Sequence, residues 1–125
     1  MKRIAAAAVA VVCLLAASSA GAVTGQEKNA IRAAKSYLSI SAFSRLGLIG
    51  QLSSSAGDGY PRKVAVAAVD SLKVNWDTEA VKAAKSYLKI SAFSCSGLIQ
   101  QLDSSAGDQY TVAQATYGAK KAGAC

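Results

Sequence analysis

Side chains that could do chemistry are few in this 125-residue chain, and they form no catalytic set. The sequence has no histidine, which excludes His-dependent triads and histidine zinc sites. Of its seven Asp and Glu residues, only Asp58 and Asp108 recur at equivalent positions of an internal repeat. Ser36 and Ser86 each follow a lysine, but adjacent residues on a helix point in different directions and cannot form a Ser-Lys dyad. We therefore expect no enzyme activity, no metal and no cofactor.

The two repeated aspartates each follow a glycine in a Ser-Ala-Gly-Asp turn. An aspartate in such a turn usually accepts hydrogen bonds from nearby backbone N–H groups, so a local structural role is expected for Asp58 and Asp108. The glycines before them, Gly57 and Gly107, are expected to cap the C-terminus of the preceding helix.

The first 22 residues have the pattern of a secretory signal peptide, with Lys2 and Arg3 before an apolar run. The Ala-Gly-Ala triplet at 20–22 predicts cleavage after Ala22. An uncleaved membrane anchor is the alternative, because the 20 residues of 4–23 are about the minimum for a span. Export to the cell surface or the medium is expected in either case.

Cleavage would leave two cysteines, Cys95 and Cys125, in an oxidising compartment, where a disulfide between them is the natural pairing. By loop entropy, closing about 30 residues would stabilise the fold by roughly 3 to 4 kcal/mol. Free thiols or pairing between molecules are the alternatives. Cys13 lies in the middle of the apolar run, after two valines, so lipid attachment there is not expected.

An internal repeat organises the rest of the chain. Without gaps, residues 30–60 match residues 80–110 at 23 of 31 positions. Abundant alanine and lysine with few β-branched runs predict an all-α fold of two three-helix, helix-turn-helix-like units. We divide the chain into a signal peptide at 1–22, a first unit at 23–75 and a second at 76–125. Because so small a unit buries little surface and the join has no flexible linker, the units are expected to pack together and share part of a core.

The first helix of each unit is expected at about 29–40 and 78–90, with Asn29 and Asp77 as N-caps. Trp76 lies at the join between the units. We expect it to act as a wedge between them, and a binding platform is the alternative.

Ser44 and Ser94 are expected to N-cap the second helices, which would extend to about Ala106 in the second copy. The apolar stripe of the second helix is expected at Leu48, Ile49 and Leu52. A Thr-x-x-Gln capping box at 111–114 would start the last helix, which is expected to end near Ala122 and bring Cys125 back beside Cys95.

Three segments recur in order in both copies: A-A-K-S-Y-L, A-F-S-x-x-G-L-I-x-Q-L and S-S-x-G-D-x-Y. With N-W-D-T-E-A-V opening the second copy, they resemble the tandem repeat of the host cell surface-exposed lipoprotein (Ltp) family over residues 26–120. The resemblance implies a small envelope protein that excludes superinfecting phage. Such a protein contacts the tail tape measure protein and thereby stops the passage of phage DNA into the cell. The lipid-attachment cysteine of that family has no counterpart here.

The excess of basic over acidic residues suggests an acidic partner. Without its first 22 residues the chain has 12 Lys and Arg against 7 Asp and Glu. The residues expected to contact a partner are Arg32, Lys35, Tyr37, Lys82, Lys85, Tyr87 and Lys89. No nucleic acid is expected, because the third helix of the first copy is largely apolar where a recognition helix needs polar side chains. A secreted host protein that binds anionic wall polymer or lipid headgroups is the alternative function.

Overall fold

A computed structural model describes residues 23–125, and the expected signal peptide lies outside them. The described chain is all-helical, in two consecutive three-helix units. The helices of the first unit are α1 (Gly25–Ile40), α2 (Arg45–Ser53) and α3 (Arg62–Ser71). Those of the second unit are α4 (Trp76–Ile90), α5 (Cys95–Asp103) and α6 (Val112–Lys121). No helix among residues 23–125 is long and apolar enough to cross a membrane.

The first helix of each unit begins earlier than expected. Thr24 and Asn75 are the N-caps, and their side chains accept hydrogen bonds from the backbone N–H groups of Glu27 and Thr78, both at 3.1 Å. The expected caps at Asn29 and Asp77 are therefore wrong, because an earlier polar side chain already satisfies the first-turn donors.

The second helices begin as expected. The hydroxyl of Ser44 accepts a hydrogen bond from the backbone N–H of Gly47 at 2.9 Å, and that of Ser94 accepts one from Gly97 at 3.0 Å. The expected extension to Ala106 is wrong, because α5 ends at Asp103. Ser104 leaves the helical conformation, and its hydroxyl accepts the N–H groups of Ala106 and Gly107, both at 3.1 Å. Serine thus starts a turn here in place of another helical turn.

The glycines of this turn do not cap the helix in the left-handed conformation, which corrects that expectation. The positive φ angles lie two residues later, at Gly59 (70°) and Gln109 (61°). The turn needs Gly57 and Gly107 because of a close backbone approach. A Cβ at Gly107 would lie 2.5 Å from the carbonyl oxygen of Gln101, and one at Gly57 would overlap that of Gln51.

The last helix begins with the expected capping box, in which Thr111 and Gln114 exchange hydrogen bonds at 3.0 and 3.1 Å. Its last residue is Lys121, and Ala122 is the C-cap. The chain then turns back, and the Cα atoms of Cys95 and Cys125 lie 4.7 Å apart in a disulfide.

Each unit has a core of its own. The buried cluster of the first unit is Ala34, Leu48, Ile49, Leu52, Ala65 and Val69, which includes the stripe expected on α2. That of the second is Ala80, Ala83, Ala84, Leu98, Leu102, Tyr110, Ala115 and Ala119. Alanines on the first helices let the neighbouring helices approach closely.

The units meet along a narrow seam. Two of the residues that pack on these clusters come from the opposite unit. Ala42 of the first unit packs on the second core, and Trp76 of the second unit packs on the first core. Trp76 therefore lies between the units as expected, but shared burial is smaller than we anticipated. The Ser44 hydroxyl also donates a hydrogen bond to the Asp108 carbonyl oxygen across the seam.

Candidate functional site

A hydrogen-bonded cluster of tyrosine, aspartate and glutamine recurs in both units. The Tyr37 hydroxyl donates to Asp58 Oδ1 at 2.7 Å and accepts from Gln51 Nε2 at 3.4 Å. The second unit repeats these bonds at 2.8 and 3.3 Å with Tyr87, Asp108 and Gln101. Both carboxylates thus accept a bond from a side chain 21 residues away, in place of the local backbone donors expected from the sequence. The cluster ties the first helix to the turn after the second.

The environment of the cluster shifts its titrating groups. The bond to Asp58 is the main cause of a raised pKa at Tyr37, whereas burial is the main cause at Tyr87. Burial also raises the pKa of the Asp108 carboxyl, against the opposing effect of its bond to Tyr87. Each tyrosine ring also meets a phenylalanine edge to face, at centroid distances of 5.8 and 5.7 Å. The two tyrosines expected to contact a partner therefore hold their own units together.

The start of the second helix is fastened to the end of the third in both units, by different chemistry. In the first unit, Arg45 donates to both carboxylate oxygens of Asp70, at 2.7 and 2.8 Å. This bond lowers the pKa of Asp70 and raises that of Arg45. In the second unit, Cys95 replaces the arginine and bonds to Cys125. The ion pair was not anticipated, although the Arg-to-Cys replacement within the repeat pointed to this position.

The basic residues expected to contact a partner fall into two groups. Lys35 and Lys82, from the first helices of different units, line one cleft between α1 and the start of α4. Arg32, Lys85 and Lys89 are exposed and do not line it. The repeat therefore places equivalent positions in different surroundings, since Lys85 is the counterpart of Lys35.

This seam cleft, as we call it, has a volume of about 510 Å³ and is open to solvent. Its lining residues are Lys35, Leu38, Ser39, Leu72, Lys73, Val74, Asn75, Thr78, Glu79 and Lys82. Three half-buried apolar side chains, Leu38, Leu72 and Val74, contribute to it. Three lysines, all exposed, supply the positive charge.

A buried carboxylate belongs to the same cleft. Glu79 is 6% exposed, and its Oε1 lies 3.3 Å from the Nζ of Lys82, whose side chain is 60% exposed. The other oxygen, Oε2, is buried and has no hydrogen-bond partner among the described residues. Lys82 therefore lines the cleft with one ion-pair partner and can donate further hydrogen bonds.

Sequence reasoning missed two contributors to the cleft, Lys73 in the segment that joins the units and Glu79 in the first turn of α4. Apolar residues alternating with polar ones at 72–75 were a usable signal, because a short connection between two helical units must lie in the seam. Among residues 23–125, no group of three or more Asp, Glu or Cys residues could hold a metal ion.

The sequence matches the family described as host cell surface-exposed lipoprotein twice, over residues 26–72 and 75–121. A solved structure with a similar fold is that of Ltp, a superinfection exclusion protein from the Streptococcus thermophilus temperate phage TP-J34. It is 27% identical with a TM-score of 0.70, over 79% of this chain and 97% of that one. A search of curated proteins gives no match. The tandem match, one per three-helix unit, places the chain in the host cell surface-exposed lipoprotein family.

Proposed function

We propose that this chain is an exported superinfection exclusion protein, which blocks entry of phage DNA by contact with a phage tail protein. The observation that carries the proposal is the likeness to Ltp, a superinfection exclusion protein, over 97% of that chain. By family resemblance, the partner is the tail tape measure protein. The protein acts by binding and not by catalysis, in keeping with the absence of histidine and of a catalytic set.

Expression in a susceptible host tests this function. Cells that express the chain should adsorb phage at the normal rate, keep the phage DNA outside and yield no progeny. A chain that starts at Val23 without residues 1–22 is the control, because it stays in the cytoplasm and should give no protection. Loss of adsorption, unchanged plaque counts over a broad phage panel, or equal protection by the control would contradict the proposal.

Export with cleavage after Ala22 is a separate part of the proposal. The basic residues, the apolar run and the Ala-Gly-Ala triplet support it. N-terminal sequencing and intact mass of protein from the envelope and the culture medium should give a chain that begins at Val23. A chain that begins at Met1 and stays in the membrane fraction would mean that the segment is an uncleaved anchor.

The alternative, binding to anionic wall polymer or lipid headgroups, has one specific observation in its favour. Ile40 and Ile90, at equivalent C-terminal positions of α1 and α4, are 80% and 83% exposed, and Lys89 precedes Ile90. Exposed apolar and basic side chains together suit an anionic membrane surface. Sedimentation with phosphatidylglycerol vesicles, compared with an Ile40→Ser, Ile90→Ser variant, tests this. Wild-type binding that the variant loses would support the alternative.

A further inference from the structure

We propose that the seam cleft binds an acidic amphipathic segment of a partner protein. The carboxylates of the segment would lie against Lys35, Lys73 and Lys82, and an apolar side chain would cover Leu38, Leu72 and Val74. This inference rests on the proposed function, because the phage tail protein would supply the segment. It adds the binding surface and the chemistry of what binds there.

Charge is the first argument. Lys35 and Lys73 form no salt bridge with any residue of 23–125, so their ammonium groups are available to a partner. Both line the same cleft, which gives a concave positive surface that attracts and orients acidic partners.

The buried carboxylate is the second argument. Glu79 is buried, and its ion pair with Lys82 places that ammonium group beside the cleft. The other oxygen of Glu79, Oε2, is itself closed to solvent, so a partner would contact the ammonium group of Lys82, which keeps further donor capacity, and not the carboxylate.

The apolar part of the cleft is the third argument, and it selects among anionic partners. Leu38, Leu72 and Val74 would remain uncovered beneath a simple phosphate or a polyanionic wall polymer, neither of which brings apolar side chains. An amphipathic protein segment covers them, and burial of apolar surface adds to its affinity.

Binding can be mapped by NMR on ¹⁵N-labelled chain that begins at Val23. The probe is a synthetic amphipathic helix with glutamates on one face and leucines on the other, and a peptide with lysines in place of the glutamates is the charge control. Addition of the acidic peptide should shift amide signals of residues 35–39 and 72–82, and the basic peptide should not. Shifts centred on residues 85–90, or no shift with the acidic peptide, would overturn the inference.

The repeat offers a matched pair of variants. Lys35→Glu with Lys73→Glu reverses two charges in the cleft, and Lys85→Glu with Lys89→Glu reverses two exposed charges outside it. The cleft variant should bind the acidic peptide at least about tenfold more weakly, and the control should bind nearly as wild type. Equal weakening in both variants would show a general charge effect and would refute a defined site. Both variants are expected to fold, because none of the four lysines is buried. Circular dichroism checks this.

These measurements separate the inference from the proposed function. If wild type excludes phage and the cleft variant loses exclusion while the Lys85, Lys89 variant keeps it, both are supported. If wild type excludes phage and the cleft variant excludes equally well, the inference fails while the function stands. If wild type gives no exclusion but the acidic peptide still maps to the cleft, the function fails while the site stands.

Discussion

Gly118 lies where α6 crosses α4 at close range, and a single methyl group there tests how tightly the second unit is packed. An added Cβ would lie 2.7 Å from the carbonyl carbon and oxygen of Ala80 and 3.0 Å from its Cβ. Ordinary contacts of this kind begin near 3.4 Å, and the obstacle is largely backbone. The helices would therefore have to separate by roughly 0.7 Å.

Two opposing effects set the expected change on Gly118→Ala. Alanine is a better helix former than glycine by about 1 kcal/mol, which favours the variant. Overpacking of a well-packed contact costs about 1 to 3 kcal/mol, which opposes it. We expect steric strain to dominate and the free energy of unfolding to fall by about 1 kcal/mol. For a domain of this size, that lowers Tm by roughly 4 to 8 °C.

Gly50→Ala is the control for helix propensity alone. Gly50 is also inside a helix, but an added Cβ meets nothing within 4 Å, so this variant should gain up to about 1 kcal/mol. Urea unfolding followed by circular dichroism measures both variants. If Gly118→Ala were as stable as Gly50→Ala, the close packing of α4 on α6 would be refuted.

Three further outcomes follow from contacts described above. Cys125→Ser should destabilise the second unit by roughly 3 to 4 kcal/mol, less any native strain. Hydrogen exchange in the first unit should not change. Two reactive thiols in folded wild-type protein would rule out the bridge. Tyr87→Phe should cost about 1 kcal/mol in thermal unfolding, more than Tyr37→Phe, because the hydrogen bond from Tyr87 to Asp108 is partly buried and that from Tyr37 to Asp58 is exposed. Asp70→Asn should lower stability at pH 7 by less than about 1 kcal/mol, because the pair is exposed. The pKa of Asp70 is lowered in the folded protein, so its contribution to stability is present above the unfolded pKa of about 4 and is lost as the pH falls through the folded pKa. The difference between variant and wild type in urea titrations should therefore shrink as the pH falls below about 4, and a constant difference would contradict this.

Local signals account for the parts of the fold that the sequence predicts. The caps at Ser44 and Ser94 and the box between Thr111 and Gln114 each act within one helical turn, so spacing along the chain is enough to find them. The helix starts at Gly25 and Trp76 were missed because each has two candidate caps. These are Thr24 and Asn29 for the first helix, and Asn75 and Asp77 for the fourth, and only the folded backbone selects between them.

The candidate site was harder to predict because its contacts link distant residues. Tyr37 and Asp58 are 21 positions apart, and Arg45 and Asp70 are 25 apart, so their pairing depends on how the three helices are arranged. The seam cleft depends further on how the two units meet. Sequence reasoning chose Lys35 and Lys85 together because they are equivalent in the repeat, and the structure separates them.

The position of the cleft between two self-contained cores also bears on how this protein can diversify. Lys35 and Lys73 are exposed and belong to neither buried cluster, so exchanging them changes stability by no more than about 0.5 kcal/mol. If the cleft is the binding site proposed above, it can accumulate substitutions that alter which partner it accepts while both cores stay intact. A lineage that carries such a protein could follow changes in its target through exchanges at a few surface positions, with no need for compensating changes elsewhere in the chain.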